Sequence, residues 1–399
     1  MTMPSLADAA VLRQPELARL LALLDGKGEE TRIAGGAVRD TLLGRPVHEV
    51  DIATTALPEE VTRRGQEAGF KVVPTGAEHG TVTVVVQGRP FEVTTLRHDV
   101  ETDGRHAVVR FGRDWAEDAR RRDFTMNGLY LSRDGTVHDF VGGVEDAKAG
   151  RVRFIGDATT RIREDYLRIL RFFRFFAGYG DGAPDPDAME ATLREREGLR
   201  RLSRERVRAE FLKTLKARGA GGVVPLMAEA GILALTLGGV PRLARFRRLL
   251  AIEAALGREA DPVLRLGALT LFTREDAERL RERLRLTNAE ERRLLAMAEG
   301  PLPHPGLSAQ ARHAALYRLG AGAFHDRALL GWAQGDAETD DGTWQALVAL
   351  SGSWQRPVFP VRADDLVQVG VPRGPQLGRR LRALEEEWIA QDFPADFRW

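Results

Sequence analysis

Leu17, Leu20, Leu21 and Leu24 fall at the i, i+3, i+4, i+7 spacing of one apolar helical face, so the first 30 residues predict a short amphipathic helix packed on the adjoining domain. From about 31 to 145 the period changes to two. β-Branched runs such as Thr81 to Val86 and Phe91 to Thr95 predict strands, separated by turns such as Gln87-Gly88-Arg89-Pro90. After about 146 strand texture disappears, and Ala, Leu, Arg and Glu recur at helical spacing. Breaks are expected at Gly180 to Pro186, Gly219 to Gly222 and Gly300 to Gly306, and Thr287-Asn288-Ala289-Glu290 reads as a capping box. The fold class expected is α+β: a small N-terminal sheet domain, then helices to the end.

At 399 residues the chain exceeds one ordinary core, which predicts two or more domains. Its 59 basic and 58 acidic residues nearly cancel, so attraction to nucleic acid has to come from local clustering. Residues 151 to 220 supply such a cluster, with 17 Lys and Arg against 11 Asp and Glu. The absence of cysteine excludes disulfides, thiolate metal sites and Cys nucleophiles. Charged residues interrupt Met1 to Leu24 too often for a secretory or transit peptide, and no apolar stretch reaches membrane-spanning length. A soluble cytoplasmic protein without a membrane or protein partner is expected.

Several segments carry candidate chemistry. Gly35-Gly36-Ala37-Val38-Arg39-Asp40 follows an apolar run, where paired glycines let backbone N–H groups approach an anion and Arg39 adds positive charge. In Glu49-Val50-Asp51-Ile52-Ala53, a strand would place both carboxylates on one face, and Mg2+ is the hard cation suited to relieve their repulsion. Glu92, on a later strand, offers a third acid for a two-metal site. Arg121-Arg122-Asp123 can hold phosphate and a ribose hydroxyl. The stretch between Arg97 and Arg122 reads as an irregular, mobile loop.

Glu164 to Arg174 predicts one helix with Asp165, Arg168, Arg171 and Arg174 in a polar stripe and phenylalanines as core. Asp and Arg together can read a base edge that pairs an exocyclic amino donor with a ring-nitrogen acceptor, as cytosine and adenine do. Glu164 is placed to orient Arg168. Each motif alone also has a plainer reading as a turn, an acidic strand end or a solvated helix face.

In order, these segments resemble the class II tRNA nucleotidyltransferases, the CCA-adding enzymes and their bacterial poly(A) polymerase relatives. The resemblance runs through Asp139-Phe140-Val141-Gly142-Gly143 with Asp146, Glu164-Asp165-x-x-Arg168, and Ser203-Arg204-Glu205-Arg206 with Glu210. It is strong over roughly 30 to 215 and returns weakly from Asp365 to Leu381.

It implies a polymerase-β-like nucleotidyltransferase head (1–145), a helical nucleotide-selecting neck (146–215), and a helical body and tail that bind tRNA (216–399). The implied reaction is attack of the RNA 3′-OH on the α-phosphate of CTP or ATP. Glu49 and Asp51 would hold Mg2+, with Glu92 as the third acid. Gly36, Arg39 and Arg122 would meet phosphate, Asp123 the ribose, Asp165 and Arg168 the base, and Arg171 and Arg174 would complete the pocket.

The segment Thr102-Asp103-Gly104-Arg105-His106 resembles the loop through which such enzymes switch from C to A addition, which favours CCA addition over poly(A) addition. Glu49 stands where the family usually has Asp, which predicts weaker metal affinity or a slower rate, and Gly128 where it commonly has Ala, which predicts a slightly looser segment. A catalytically impaired RNA-binding protein and a small-molecule nucleotidyltransferase are the readings from other classes. The pair His325-Asp326 raises a metal phosphohydrolase domain, but too few histidines accompany it for that to be expected.

Overall fold

The computed structural model describes residues 4–76, 80–103 and 106–399. The chain divides into two compact units, Met1–Leu235 and Thr236–Trp399.

The first unit is built on a seven-stranded sheet. Its strands are β1 (Thr31–Ala34), β2 (Asp51–Thr54), β3 (Lys71–Gly76), β4 (Thr81–Val86), β5 (Arg89–Thr95), β8 (Leu129–Leu131) and β9 (Val137–Asp139), in the order β3-β4-β5-β2-β1-β8-β9. Two further strands, β6 (Arg97–Asp103) and β7 (His106–Phe111), pair with each other. The expected irregular loop after Arg97 is thus largely a β-hairpin, and the β-branched Val108 and Val109 sit in its ladder opposite Glu101 and Asp99. Of the loop resemblance, Gly104 and Arg105 lie outside the described residues.

Alternation in β4 buries Val82, Val84 and Val86. They share one core with Leu17, Leu20, Leu21 and Leu24 of helix α1 (Pro15–Leu24) and with Val61 of α3 (Pro58–Glu67). Each such side chain contributes about 2 kcal/mol by leaving water. The tight link between β4 and β5 is Gln87-Gly88 alone, both at positive φ (50° and 85°), while Arg89 and Pro90 already belong to the strand.

β2 is central, antiparallel to β1 and parallel to β5, and the parallel register sets Asp51 beside Glu92. Short helices α2 (Gly36–Leu42), α4 (Trp115–Arg120) and α5 (Gly143–Lys148) follow β1, β7 and β9. Helices α6 (Ala158–Glu164), α7 (Leu167–Tyr179), α8 (Pro186–Glu195), α9 (Arg204–Lys216) and α10 (Ala220–Glu229) come after the sheet. The predicted break at Gly219 to Gly222 is confined to Gly219 and the residues before it, because Ala220 already opens α10.

Two devices fix the end of the sheet nearest these helices. Asp139 accepts from the N–H groups of Val141, Gly143 and Val144 (3.0, 3.0 and 2.9 Å), and Gly142 takes a left-handed φ of 78°. A Cβ on Gly143 would stand 2.1 Å from the Thr125 carbonyl oxygen. Gly128 is likewise packed, not loosened: a Cβ there would meet Val141 at 2.6 Å.

The second device is the buried carboxylate of Asp118, which accepts from the Tyr130 hydroxyl (2.6 Å) and pairs with Arg121 (2.6 Å) and Arg122 (3.3 Å). Burial alone would raise its pKa, but the two guanidiniums prevail and hold it below the ordinary carboxylate value.

The second unit is helical throughout its described elements. Thr287 and Glu290 form the expected capping box. Asp326 is held by Arg293 (2.7 and 2.9 Å) and His325 meets Ser351 (3.0 Å). No helix is long and apolar enough to cross a membrane among the described residues.

Gly143→Ala should destabilise the first unit by about 1–3 kcal/mol, read as a lower Tm, because the collision is with backbone and cannot be relieved by a rotamer. For Asp118 the folded-state pKa lies below the unfolded one, so its stabilisation is present above the ordinary carboxylate pKa and is lost as pH falls through the folded value. Asp118→Asn should therefore destabilise the first unit at pH 7 by about 3 kcal/mol, as for a broken buried pair, read as a lower Tm. The gap to wild type should shrink on acidification; a gap constant down to about pH 3 would refute this cause.

Candidate active site

The β1–β2 side of the sheet and the helices α7 and α9 enclose a cleft of about 600 Å3. Gly36, Arg39, Glu49, Asp51, Arg122, Asp123, Asp165, Arg168, Arg171 and Arg174 all line it, so ten residues singled out from sequence converge there from positions up to 138 apart. Glu92 does not line this cleft; it lies in an adjoining one of about 430 Å3 that also contains Glu49 and Asp51. A larger cleft, about 710 Å3, opens around Phe154 and Asp185 and gathers none of these residues.

Two local expectations change. Only Asp51 lies in the strand; Glu49 precedes it in the approach loop, so alternation does not align the two carboxylates. Nor is Glu164 to Arg174 one helix. Asp165 is extended (φ −153°, ψ 105°) between α6 and α7, and its carboxylate accepts from the Leu167 N–H (3.1 Å), capping the second helix in place of continuing the first. The phenylalanines Phe172, Phe173 and Phe175 are buried, as expected of core.

At the acidic edge, Asp51 is exposed on one side. Crowding by the protein, then the neighbouring Glu92 and Glu49 carboxylates, raise its carboxyl above the ordinary range, while Arg122 opposes them. Among the described residues no three His, Asp or Glu side chains stand close enough to form a ready-made metal cage.

Opposite lie the cations. Seven basic side chains line the cleft against four acidic ones, an excess suited to a polyphosphate. Most are held in ion pairs. Arg171 donates through Nε to Asp123 (2.8 Å), whose other oxygen accepts from the Asn127 amide (3.0 Å) and the Phe124 N–H (2.9 Å). Burial raises the Asp123 pKa, but Arg171 and these hydrogen bonds bring it below the ordinary value. Arg174 donates to Glu210 (2.6 Å), and burial outweighs Glu210 in drawing the Arg174 pKa down.

Arg168 pairs with Glu164, the partner expected of it, although the two stand on either side of the break at Asp165. Asp165 pairs with Arg206 of α9 (2.6 Å), not with Arg168. Arg39 is buried and fully engaged by Asp40 (3.0 Å to each oxygen), Asn127 (2.6 Å) and the Tyr179 hydroxyl (2.6 Å), so it shapes the wall. Gly35, at φ 68°, lets Arg122 approach to 3.0 Å of where a Cβ would stand, and Gly36 gives Arg39 similar room.

Sequence reasoning missed Asn127, Tyr179, Phe175, Arg206 and Lys213. Phe175 carries three guanidiniums around its ring, those of Arg39, Arg171 and Arg174 at 5.4, 5.4 and 4.3 Å. Arg206 stood within a flagged motif, but nothing in the sequence ties it to Asp165, 41 positions away. The partner is fixed only by the packing of α9 on α7.

Residues 31–153 match the family described as the Poly A polymerase head domain. The chain is similar to the mitochondrial CCA tRNA nucleotidyltransferase 1 of Danio rerio, 36% identical over 90% of this chain and 83% of that one. It is also similar to the CCA-adding enzyme of Leuconostoc citreum, 34% identical over 93% and 90%. Among solved structures it resembles the Bacillus stearothermophilus CCA-adding enzyme in complex with CTP, at 29% identity, a TM-score of 0.73, and coverage of 94% of this chain and 93% of that one. With relatives of this identity matched over most of their length, and with the acidic edge and the arginine-lined cleft brought together in one unit, this chain belongs to the CCA-adding tRNA nucleotidyltransferase family.

Proposed function

We infer that the protein adds C, C and A to the 3′ end of tRNA from CTP and ATP, releasing pyrophosphate. The observation that carries this reading is the convergence of the acidic edge, the arginine face and the Asp165 helix junction on one cleft in a family of this activity. The tRNA 3′ oxygen forms a bond to the α-phosphorus while the bond from that phosphorus to the bridging oxygen of the β-phosphate breaks.

Divalent metal ions generally serve this family, and the acidic edge fits one. Desolvation by the surrounding protein, then the Glu92 and Glu49 carboxylates, press the partly exposed Asp51 toward protonation, and Mg2+ commonly takes one or two carboxylates plus substrate phosphates. Glu49 and Asp51 would hold it, with Glu92 beside them; such ions polarise phosphate and activate the attacking hydroxyl.

Arg122, the Gly36 N–H and the charge of Arg39 serve the phosphates, and Asp123 the ribose. Arg171 and Arg174 close the pocket over Phe175. Asp165 accepts from the amino group of cytosine or adenine while Arg168 donates to the adjacent ring nitrogen, which refuses uracil and guanine. Both are occupied by Arg206 and Glu164 in the free protein, so base binding exchanges ion pairs within the protein for hydrogen bonds to a neutral base edge. Residues 1–145 act as catalytic head, 146–215 as selecting neck and 216–399 as the tRNA-binding half, in the cytoplasm.

The test is to incubate the protein with Mg2+, a tRNA transcript ending at the discriminator base, and CTP, ATP or both, and to sequence the products. Addition of C, C and A followed by arrest is expected. Long A tails would reassign it as a poly(A) polymerase, and RNA binding without extension would make it an impaired binder. A second check concerns Asp51. Its raised pKa means that ionisation opposes folding above the ordinary carboxylate pKa, so Asp51→Asn should raise the Tm of metal-free protein at about pH 7 while abolishing extension. Mg2+ should raise the Tm of wild type and leave that of the variant unmoved.

A further inference from the structure

Tyr130 lies in the acidic row of the sheet without being acidic. Cross-strand pairing lines up Tyr130 of β8, Ala34 of β1, Asp51 of β2 and Glu92 of β5, and directly paired residues present their side chains on one face. Two strand spacings, about 10 Å, separate Tyr130 from Asp51. The small Ala34 and Gly35 leave that interval open to Arg122, whose Nη1 stands 3.0 Å from where a Cβ on Gly35 would be. Arg122 is also the cation that opposes the raised carboxyl of Asp51.

A hydroxyl and a carboxylate already bound to each other hold Arg122 there. Tyr130 is fully buried, its ring set edge-on to Trp115 (centroids 5.0 Å apart, planes at 77°). Its hydroxyl donates to Oδ2 of Asp118 (2.6 Å) and accepts from Nε of Arg122 (3.2 Å), while Nη2 of Arg122 donates to the same Oδ2 (3.3 Å). The other oxygen, Oδ1, accepts from Nε of Arg121 (2.7 Å) and from the Arg97 N–H (3.4 Å), which fixes the plane of the carboxylate. Burial raises the Tyr130 pKa, so the phenol stays neutral and can donate and accept at once.

A guanidinium has five N–H groups. Arg122 uses one on Tyr130, one on Asp118 and a third, from Nη1, on the Asn127 carbonyl (3.5 Å), which leaves two, one on each terminal nitrogen. Two such N–H groups form the fork that grips a phosphate through parallel hydrogen bonds. The side chain is 21% exposed and lines the arginine cleft, so the fork is open to a ligand there. We propose that Tyr130 and Asp118 are positioning residues that aim the free fork of Arg122 at the triphosphate of the incoming nucleotide. They touch neither nucleotide nor reacting atoms, and their role rests on the reading of Arg122 as a phosphate ligand in nucleotidyl transfer.

Tyr130→Phe keeps the buried ring and removes only the hydroxyl, so it should fold, with a lower Tm. CTP binding is measured by calorimetry without RNA, and extension of a tRNA transcript by steady-state kinetics, for wild type, Tyr130→Phe, Arg122→Ala and the double variant. Tyr130→Phe should weaken CTP binding and raise the KM for CTP about tenfold, with kcat and the KM for RNA within about threefold of wild type. Added to Arg122→Ala, it should change CTP affinity by less than about twofold, because a residue that acts only through Arg122 then has nothing to aim. Asp118→Asn, assayed below its own Tm, should reproduce both results.

Wild-type CTP affinity in Tyr130→Phe, a loss in kcat at unchanged KM, or the same further loss on top of Arg122→Ala would overturn the positioning role while leaving the reaction intact. Unchanged CTP affinity in Arg122→Ala would remove the phosphate role of Arg122 and the proposal with it. Failure of wild type to extend any RNA would instead overturn the reaction on which both stand.

Discussion

The Asp123–Arg171 ion pair ties the sheet side of the first unit to α7, beside the Phe124–Phe175 ring contact at 5.0 Å between centroids. Asp123 belongs to the sheet side, fixed by the Phe124 N–H and the Asn127 amide; Arg171 belongs to α7. Asn127 in turn accepts from Arg39, whose guanidinium also reaches the Tyr179 hydroxyl at the far end of α7. A single polar chain therefore runs from the helix after β1, through the segment after α4, to two separate turns of the helix that carries the arginine face. Charged pairs in such a partly buried setting are worth keeping only when every lone pair is answered, and here Asp123 has three donors.

Around that link the cleft is organised by unequal neutralisation. The cations are mostly satisfied by carboxylates on neighbouring helices, whereas the carboxylates of the acidic edge face one another across parallel strands with only Arg122 opposing. Like-charge crowding in the cleft therefore falls at the acidic edge, and that edge borders both clefts. Stability elsewhere, in the valine ladder of β4 and the leucine face of α1, is the reserve against which the site is held.

Much of this was legible in the sequence because it depends on local periodicity. The Leu17 to Leu24 face and the alternating valines are properties of one element and its pitch. What stayed hidden was set by neighbours in space. The hairpin after Arg97 looked irregular because its polar residues masked its pairing, and Asp165 looked helical because a three-residue charge repeat hid a capping carboxylate. Glu49 was placed in a strand that begins two residues later. Arg206 and Phe175 could not be assigned to the cleft because their roles come from α9 and α7 packing together. Gly128 shows the reverse: its small size reads as slackness in sequence and as tight packing in three dimensions.

The break at Asp165 has a consequence for divergence. A carboxylate in extended backbone between two helices takes its direction from both of them and from whichever partner it meets across the cleft. On the proposed reading, nucleotide preference then belongs to a junction shared by three stretches of chain, and a lineage can retune it by altering the α9 side chain opposite while the reader itself never changes.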